Sequence, residues 1–242
     1  MLEIRNLSFG VNEDGQDKEI IRDISLKIED RKMVVITGPN GGGKSTLAKL
    51  IAGIEKPASG QILFNGEDIT EKSITDRARM GIAFAFQQPV RFKGLQVVDL
   101  LRLAAGTRLS VSDACTFLAS VGLCARDYID REVNASLSGG ELKRIEIATV
   151  LARNAALSVF DEPEAGIDLW SFQNLIDVFR NMREKIKDSS ILIISHQERI
   201  LNIADEIIVL KDGRIEAQGP KDEILPKLIG TASAIPGCVK TV

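Results

Sequence analysis

The stretch Gly38-Pro39-Asn40-Gly41-Gly42-Gly43-Lys44-Ser45-Thr46 carries the strongest chemical signal in the chain. Its spacing is G-x-x-x-x-G-K-[ST], it follows the apolar run Met33–Thr37, and it precedes Leu47–Ala52 at helical spacing. The implied order is strand, loop, helix. Glycines let successive backbone N–H groups turn inward around an anion, and the start of a helix adds the positive end of its dipole. The side chains then divide the work: Lys44 reaches the β- and γ-phosphates of a nucleotide, Ser45 ligates magnesium, and Thr46 donates to the α-phosphate. A glycine-rich turn between a strand and a helix, with no ligand, is the plain alternative. Spacing and context together outweigh it.

Binding a nucleoside triphosphate does not imply cleaving it. Cleavage needs a carboxylate for magnesium and a group to polarise water, and Leu157-Ser158-Val159-Phe160-Asp161-Glu162 offers both at the end of an apolar run. Asp161 is the magnesium residue and Glu162 the base. Gln87, after the run Ala83-Phe84-Ala85-Phe86, can reach the magnesium and the water. Leu137-Ser138-Gly139-Gly140-Glu141 opens a helix with Ser138 as its N-cap and glycines that expose donors. A second anion site without a second phosphate loop makes sense when it serves the nucleotide of another copy of the chain. The single histidine, His196, ends the apolar run Ile191–Ile194; taken alone, it reads as packing.

These residues need a scaffold that delivers them to one edge. Residues 2–9 and 20–28 alternate as strands, with the polar stretch VNEDGQDKE read as a loop between them. Further strands are expected at 33–37, 62–64, 82–86, 157–161, 190–195, 206–210 and 213–218, and helices at 139–152 and 168–186. Val97, Leu100, Leu101, Leu103 and Ala104, then Val111, Ala114, Phe117, Leu118 and Val121, predict short amphipathic helices inserted at about 90–137.

The chain has 242 residues, 44% of them hydrophobic and 27% charged, with a net charge of −3. That is ordinary globular composition, and it argues against a wholly basic face for nucleic acid. No apolar run is long enough to span a bilayer, and the N-terminal MLEIRNLSF is not a secretory signal. Cys115, Cys124 and Cys238 form no C-x-x-C pair, which fits free thiols in a reducing compartment. A cytoplasmic protein is expected.

With these pieces in order, the chain resembles the nucleotide-binding domain of the ATP-binding cassette (ABC) ATPases over about residues 1–220. The resemblance implies an α/β P-loop NTPase fold: a mostly parallel sheet core, an antiparallel β subdomain and a helical insertion. It divides the chain into a core (1–89 and 138–220), a helical subdomain (90–137) and a C-terminal helix and tail (221–242). It makes Leu137–Glu141 the signature that acts on a second chain, Glu164-Ala165-Gly166-Ile167-Asp168 the D-loop, and His196 the switch. The implied histidine ring donates to the γ-phosphate and bridges toward Glu162. The implied assembly is an ATP-dependent head-to-tail dimer around two ATP molecules with Mg2+, and the reaction is ATP and water to ADP and phosphate. Glu162 argues against a switch that binds without turnover.

Within the family, Ala85-Phe86-Gln87-Gln88-Pro89-Val90, Ser138-Gly139-Gly140-Glu141 with Lys143-Arg144, and Gly166 are similar to the Suf-type iron–sulphur cluster assembly ATPase (SufC-like). That resemblance implies a SufB- or SufD-like scaffold as partner, docking near Gln87 and residues 90–100; the alternative is the transmembrane permease of a transporter. Two departures stand out. The aromatic that usually stacks on adenine falls near Val11, leaving Phe9 or a residue of the following loop as substitutes. Glu164 replaces the usual Thr or Ser, adding negative charge near the γ-phosphate or serving at a surface or dimer interface. Trp170 is read as helix packing, Cys115 and Cys124 as core or helix-face thiols, and Cys238 as an idle thiol in a loose tail.

Overall fold

The apolar runs of the short core strands, buried on both faces, decide the architecture. The structure, a computed structural model, describes residues 1–13, 16–106, 109–134, 136–185 and 189–232; of 13, 16, 169, 170, 185, 231 and 232 it describes the backbone alone. The readings of the Trp170 side chain, Cys238 and the end of the tail lie outside the described residues.

In chain order the elements are β1 (Leu2–Glu13), β2 (Gln16–Ile28), β3 (Met33–Thr37), α1 (Lys44–Ala52), β4 (Ser59–Phe64), β5 (Glu67–Asp68), α2 (Ile74–Arg79) and β6 (Ile82–Ala85). Then follow α3 (Val97–Ala105), α4 (Val111–Ser120), α5 (Ala125–Tyr128), α6 (Gly139–Arg153), β7 (Leu157–Asp161) and α7 (Leu169–Lys185). The chain continues through β8 (Ser190–Ile194), α8 (Glu198–Leu201), β9 (Glu206–Lys211), β10 (Arg214–Pro220) and α9 (Lys221–Ala232).

Six strands form one sheet in the order β10-β9-β3-β8-β7-β6, parallel throughout except for β10 at its edge. Every residue of β3, β7 and β8 is buried, as expected where both faces of a parallel sheet are covered. The two-residue period sends alternate side chains to two different cores. Met33, Val35, Phe160, Ile191 and Ile193 pack with α3, α4, α6 and α7, whereas Val34, Ile36, Val159, Leu192 and Ile194 face α1 and the second sheet. That second sheet is antiparallel, in the order β2-β1-β4-β5. No helix among the described residues is long and apolar enough to cross a membrane.

In the stretch VNEDGQDKE the described residues are strand and not loop. The hairpin continues through it, with Val11 opposite Lys18, Asn12 opposite Asp17 and Glu13 opposite Gln16. A ribbon whose two faces both meet solvent needs no apolar alternation, so its polar composition concealed the strands. The helix α2 also escaped the sequence. Its buried residue is Arg77, which donates to the carbonyls of Leu50, Ile51, Thr70 and Lys72 and so closes the C-terminal end of α1.

Candidate functional site

The cradle forms where β3 runs into α1. Gly43 is the N-cap of α1, with φ of 95° and no side chain to cap the helix, so the first N–H groups are left for a ligand. A Cβ on Gly43 would lie 2.8 Å from Ile21 Cδ1 and 3.0 Å from the Ile20 carbonyl oxygen. Only glycine lets β2 close this tightly over the loop. Lys44 Nζ donates to the carbonyls of Gly38 at 2.8 Å and Pro39 at 2.9 Å, which holds the ammonium over the cradle. Burial lowers the Lys44 pKa, while Glu162 and Asp161 pull it back up.

The end of β7 lies against this loop. Ser45 Oγ donates to Asp161 Oδ1 at 2.8 Å, and Gln87 Nε2 donates to Glu162 Oε2 at 2.6 Å. Asp161 is 2% exposed, and burial raises its carboxyl pKa against the opposing Ser45 hydroxyl. A hydroxyl and a carboxylate facing each other at the foot of a phosphate loop are the hard oxygen donors that magnesium selects, so the residues fit that ion. Glu162 holds φ at 43°, a backbone region that residues other than glycine rarely adopt, and its N–H is tied to the Ile194 carbonyl at 3.0 Å.

One cleft brings together Asn40, Gly41, Gly43–Thr46, Gln87, Glu162 and His196. His196 is exposed at the end of β8, and its Nε2 lies 3.3 Å from Gln197 Nε2. Gln197 is its hydrogen-bond partner among the described residues, where the bridge expected toward Glu162 is not formed. Leu137–Glu141 does not line this cleft. Ser138 and Glu141 form a reciprocal capping box at the start of α6, where Ser138 Oγ accepts from the Glu141 N–H at 3.3 Å and Glu141 Oε2 accepts from the Ser138 N–H at 2.6 Å. Tyr128 donates to the same carboxylate and, with the Ser138 N–H, holds its pKa at about 2. Asp168 accepts from the Ser171 N–H at 3.0 Å at the start of α7. Gly166 approaches Gly140, its carbonyl 3.9 Å from where a Cβ of Gly140 would lie.

Two features of the site go beyond what the sequence showed. Lys143 of α6 is fully buried, donates to the carbonyls of Phe86 and Gln87, and pairs with Glu146 at 3.2 Å. Glu146 Oε1 in turn accepts from the Phe86 N–H at 2.9 Å, and burial raises its pKa against the pull of Lys143. The i, i+3 spacing of Lys143 and Glu146 was the available signal. Glu164 is the second feature. It turns inward, accepts from Ser195 Oγ, and has its other oxygen buried without a hydrogen bond. Burial raises its pKa against the pull of the Ser195 hydroxyl, and the residue does not line the cleft that holds the phosphate loop.

Comparison with known proteins agrees with this geometry. The family model described as ABC transporter matches residues 21–165. The chain is 38% identical over 216 residues to the uncharacterized ABC transporter ATP-binding protein MJ0035 of Methanocaldococcus jannaschii, covering 86% of each chain. It is 35% identical over 239 residues to the probable ATP-dependent transporter ycf16 of Cyanophora paradoxa, covering 90% of this chain and 88% of that one. Among solved structures it superposes on the ATP-binding cassette MJ0796, described as a dimeric post-hydrolysis state bound to ADP and Pi. That match has a TM-score of 0.81 and 22% identity over 91% of this chain and 99% of that one, a likeness of fold. The chain therefore belongs to the ABC transporter ATP-binding family, P-loop cassettes that hydrolyse ATP with Mg2+.

Proposed function

We propose that this chain is the ATP-hydrolysing subunit of a membrane transporter, working as a head-to-tail pair on the cytoplasmic side of a permease. One observation carries the catalytic part: the hydrogen-bonded pair Gln87–Glu162 and Ser45, itself bonded to the buried Asp161, line the same cleft as the phosphate loop. The N–H groups of Gly41 and Gly43–Ser45 and the Lys44 ammonium hold the β- and γ-phosphates, and Thr46 holds the α-phosphate. Ser45, Asp161 and Gln87 hold magnesium, which when bound neutralises phosphate charge. Glu162 polarises the attacking water, and His196 donates to the γ-phosphate. Little covalent work falls to the protein, so rate comes from positioning and charge. The separation of Leu137–Glu141 from the cleft supports its use on the ATP of the other copy.

The permease reading is supported by the transporter names of the relatives and by a groove beside Gln87. Phe84, Phe86, Val90, Phe92, Leu100 and Leu103 line it, and Leu103 is 66% exposed. A second reading, a SufB- or SufD-like scaffold in iron–sulphur assembly, is favoured by the residues Ala85–Val90 and by Ser138–Glu141 with Lys143-Arg144. In it the chain powers assembly and another protein carries the iron; the described residues hold no cluster of metal-ligating side chains. Affinity capture of the chain from its own cells separates the two. A polytopic membrane protein is expected, and recovery of a scaffold without one transfers the assignment. The catalytic part is tested by Glu162→Gln, expected to retain ATP and lower turnover by about 10² to 10⁴. Unchanged phosphate release overturns the role of Glu162.

A further inference from the structure

The tip of α6 carries a conflict of charge. Ser138 and Gly139 are exposed, and a Cβ added to Gly139 would meet nothing within 4 Å. The helix leaves the N–H groups of Gly139 and Gly140 without intrahelical acceptors. Ser138 Oγ, which accepts from the Glu141 N–H, keeps its own proton to donate. This end is therefore open to an anion. Glu141 sits in the same turn, and with a pKa of about 2 it is charged at neutral pH. A carboxylate free to swing forward would repel the anion that the helix end attracts.

The surrounding side chains restrain that carboxylate. Its Oε2 accepts from the Ser138 N–H at 2.6 Å, its Oε1 accepts from the Tyr128 hydroxyl, and Arg131 Nη1 lies 3.7 Å from the same Oε1. The Arg131 guanidinium also lies over the Tyr128 ring, 5.1 Å from its centroid. Both carboxylate oxygens are thus engaged, and the side chain is 19% exposed. Backbone contacts anchor the pair to the helical insertion. The Arg131 N–H donates to the Tyr128 carbonyl at 3.0 Å, and at the start of α3 the Val97 N–H donates to the Arg131 carbonyl at 2.9 Å. Neither Tyr128 nor Arg131 is needed for capping, which Ser138 and Glu141 complete between themselves.

We propose that Tyr128 and Arg131 are positioning residues: they hold the Glu141 carboxylate back and offset its charge, so that the Ser138 hydroxyl and the Gly139 and Gly140 N–H groups meet a triphosphate unopposed. The proposal rests on the reading that these groups serve the nucleotide of a second copy. Phosphate release by the full chain with Mg2+ and ATP, above the dimerisation range, tests it. Tyr128→Phe and Arg131→Met are each expected to lower kcat/KM by about threefold to tenfold. ATP binding to the dilute, unpaired chain is expected to stay the same. Glu141→Gln keeps the cap and removes the charge, and when it is already present either change is expected to cost less than about twofold. A loss of the same size with and without Glu141→Gln makes the two residues structural supports and overturns the proposal, as does no loss in either single variant. Ser138→Ala separates the two readings. If it leaves turnover unchanged, the shared site falls and the proposal with it. If it lowers turnover while Tyr128→Phe and Arg131→Met do not, only the positioning role falls.

Discussion

His196, the only histidine in the chain, sits exposed at the end of a fully buried strand, where a parallel sheet presents its ligand-binding groups. A ring packed for stability would be inside. His196→Ala is expected to lower single-turnover hydrolysis by about 10² or more, the cost of one preorganised donor to developing charge. ATP binding should change little; equal losses in both would mark a structural role. Glu164 calls for a different measurement. Its folded-state pKa is raised by burial, so its contribution to stability is present below the ordinary carboxylate value and is lost as pH rises through the raised one. Glu164→Gln removes that titration and keeps an acceptor for Ser195. As pH rises from about 4 to about 8, the wild-type chain should lose stability relative to the variant in urea unfolding. Parallel pH dependences would show that the carboxyl does not titrate differently on folding.

Among the elements, α6 combines the most roles. Its Lys143–Glu146 pair is buried, and removing one partner strands the other charge. Lys143→Met should therefore cost about 3 to 5 kcal/mol, whereas Lys143→Met with Glu146→Leu should recover most of it, as read by chemical denaturation. An additive double variant would mean that the pair is not coupled. This pair was hidden because Leu142, Ile145, Ile147, Ala148 and Val150 are buried around most of the helix, and charged residues among them read as a solvated stripe. The opposite holds for β3, β7 and β8, whose unbroken apolar runs could only be core strands, and for the phosphate loop, where spacing and context coincide. The outer hairpin and α2 failed for one physical reason. Their stability comes from backbone pairing or from a buried arginine bound to carbonyls, and neither leaves an apolar period in the sequence.

At the scale of the whole molecule, the proposed pair of chains makes a kinetic demand. If Ser138–Gly140 completes the site of another copy, hydrolysis should rise faster than linearly with protein concentration below the dimerisation range. Phosphate-release rates over a dilution series check this, and strict proportionality overturns the shared site. The buried contact between Lys143 and the Phe86–Gln87 carbonyls then acquires a wider meaning. The segment that attends to a chain's own nucleotide is bolted to the helix whose tip is offered to its neighbour's. In the proposed pair, filling one cleft would therefore be felt at the other, and the two nucleotides would be counted together. Saturation by ATP should be steeper than hyperbolic, and the Lys143→Met, Glu146→Leu variant should return it toward a simple hyperbola while both clefts stay intact.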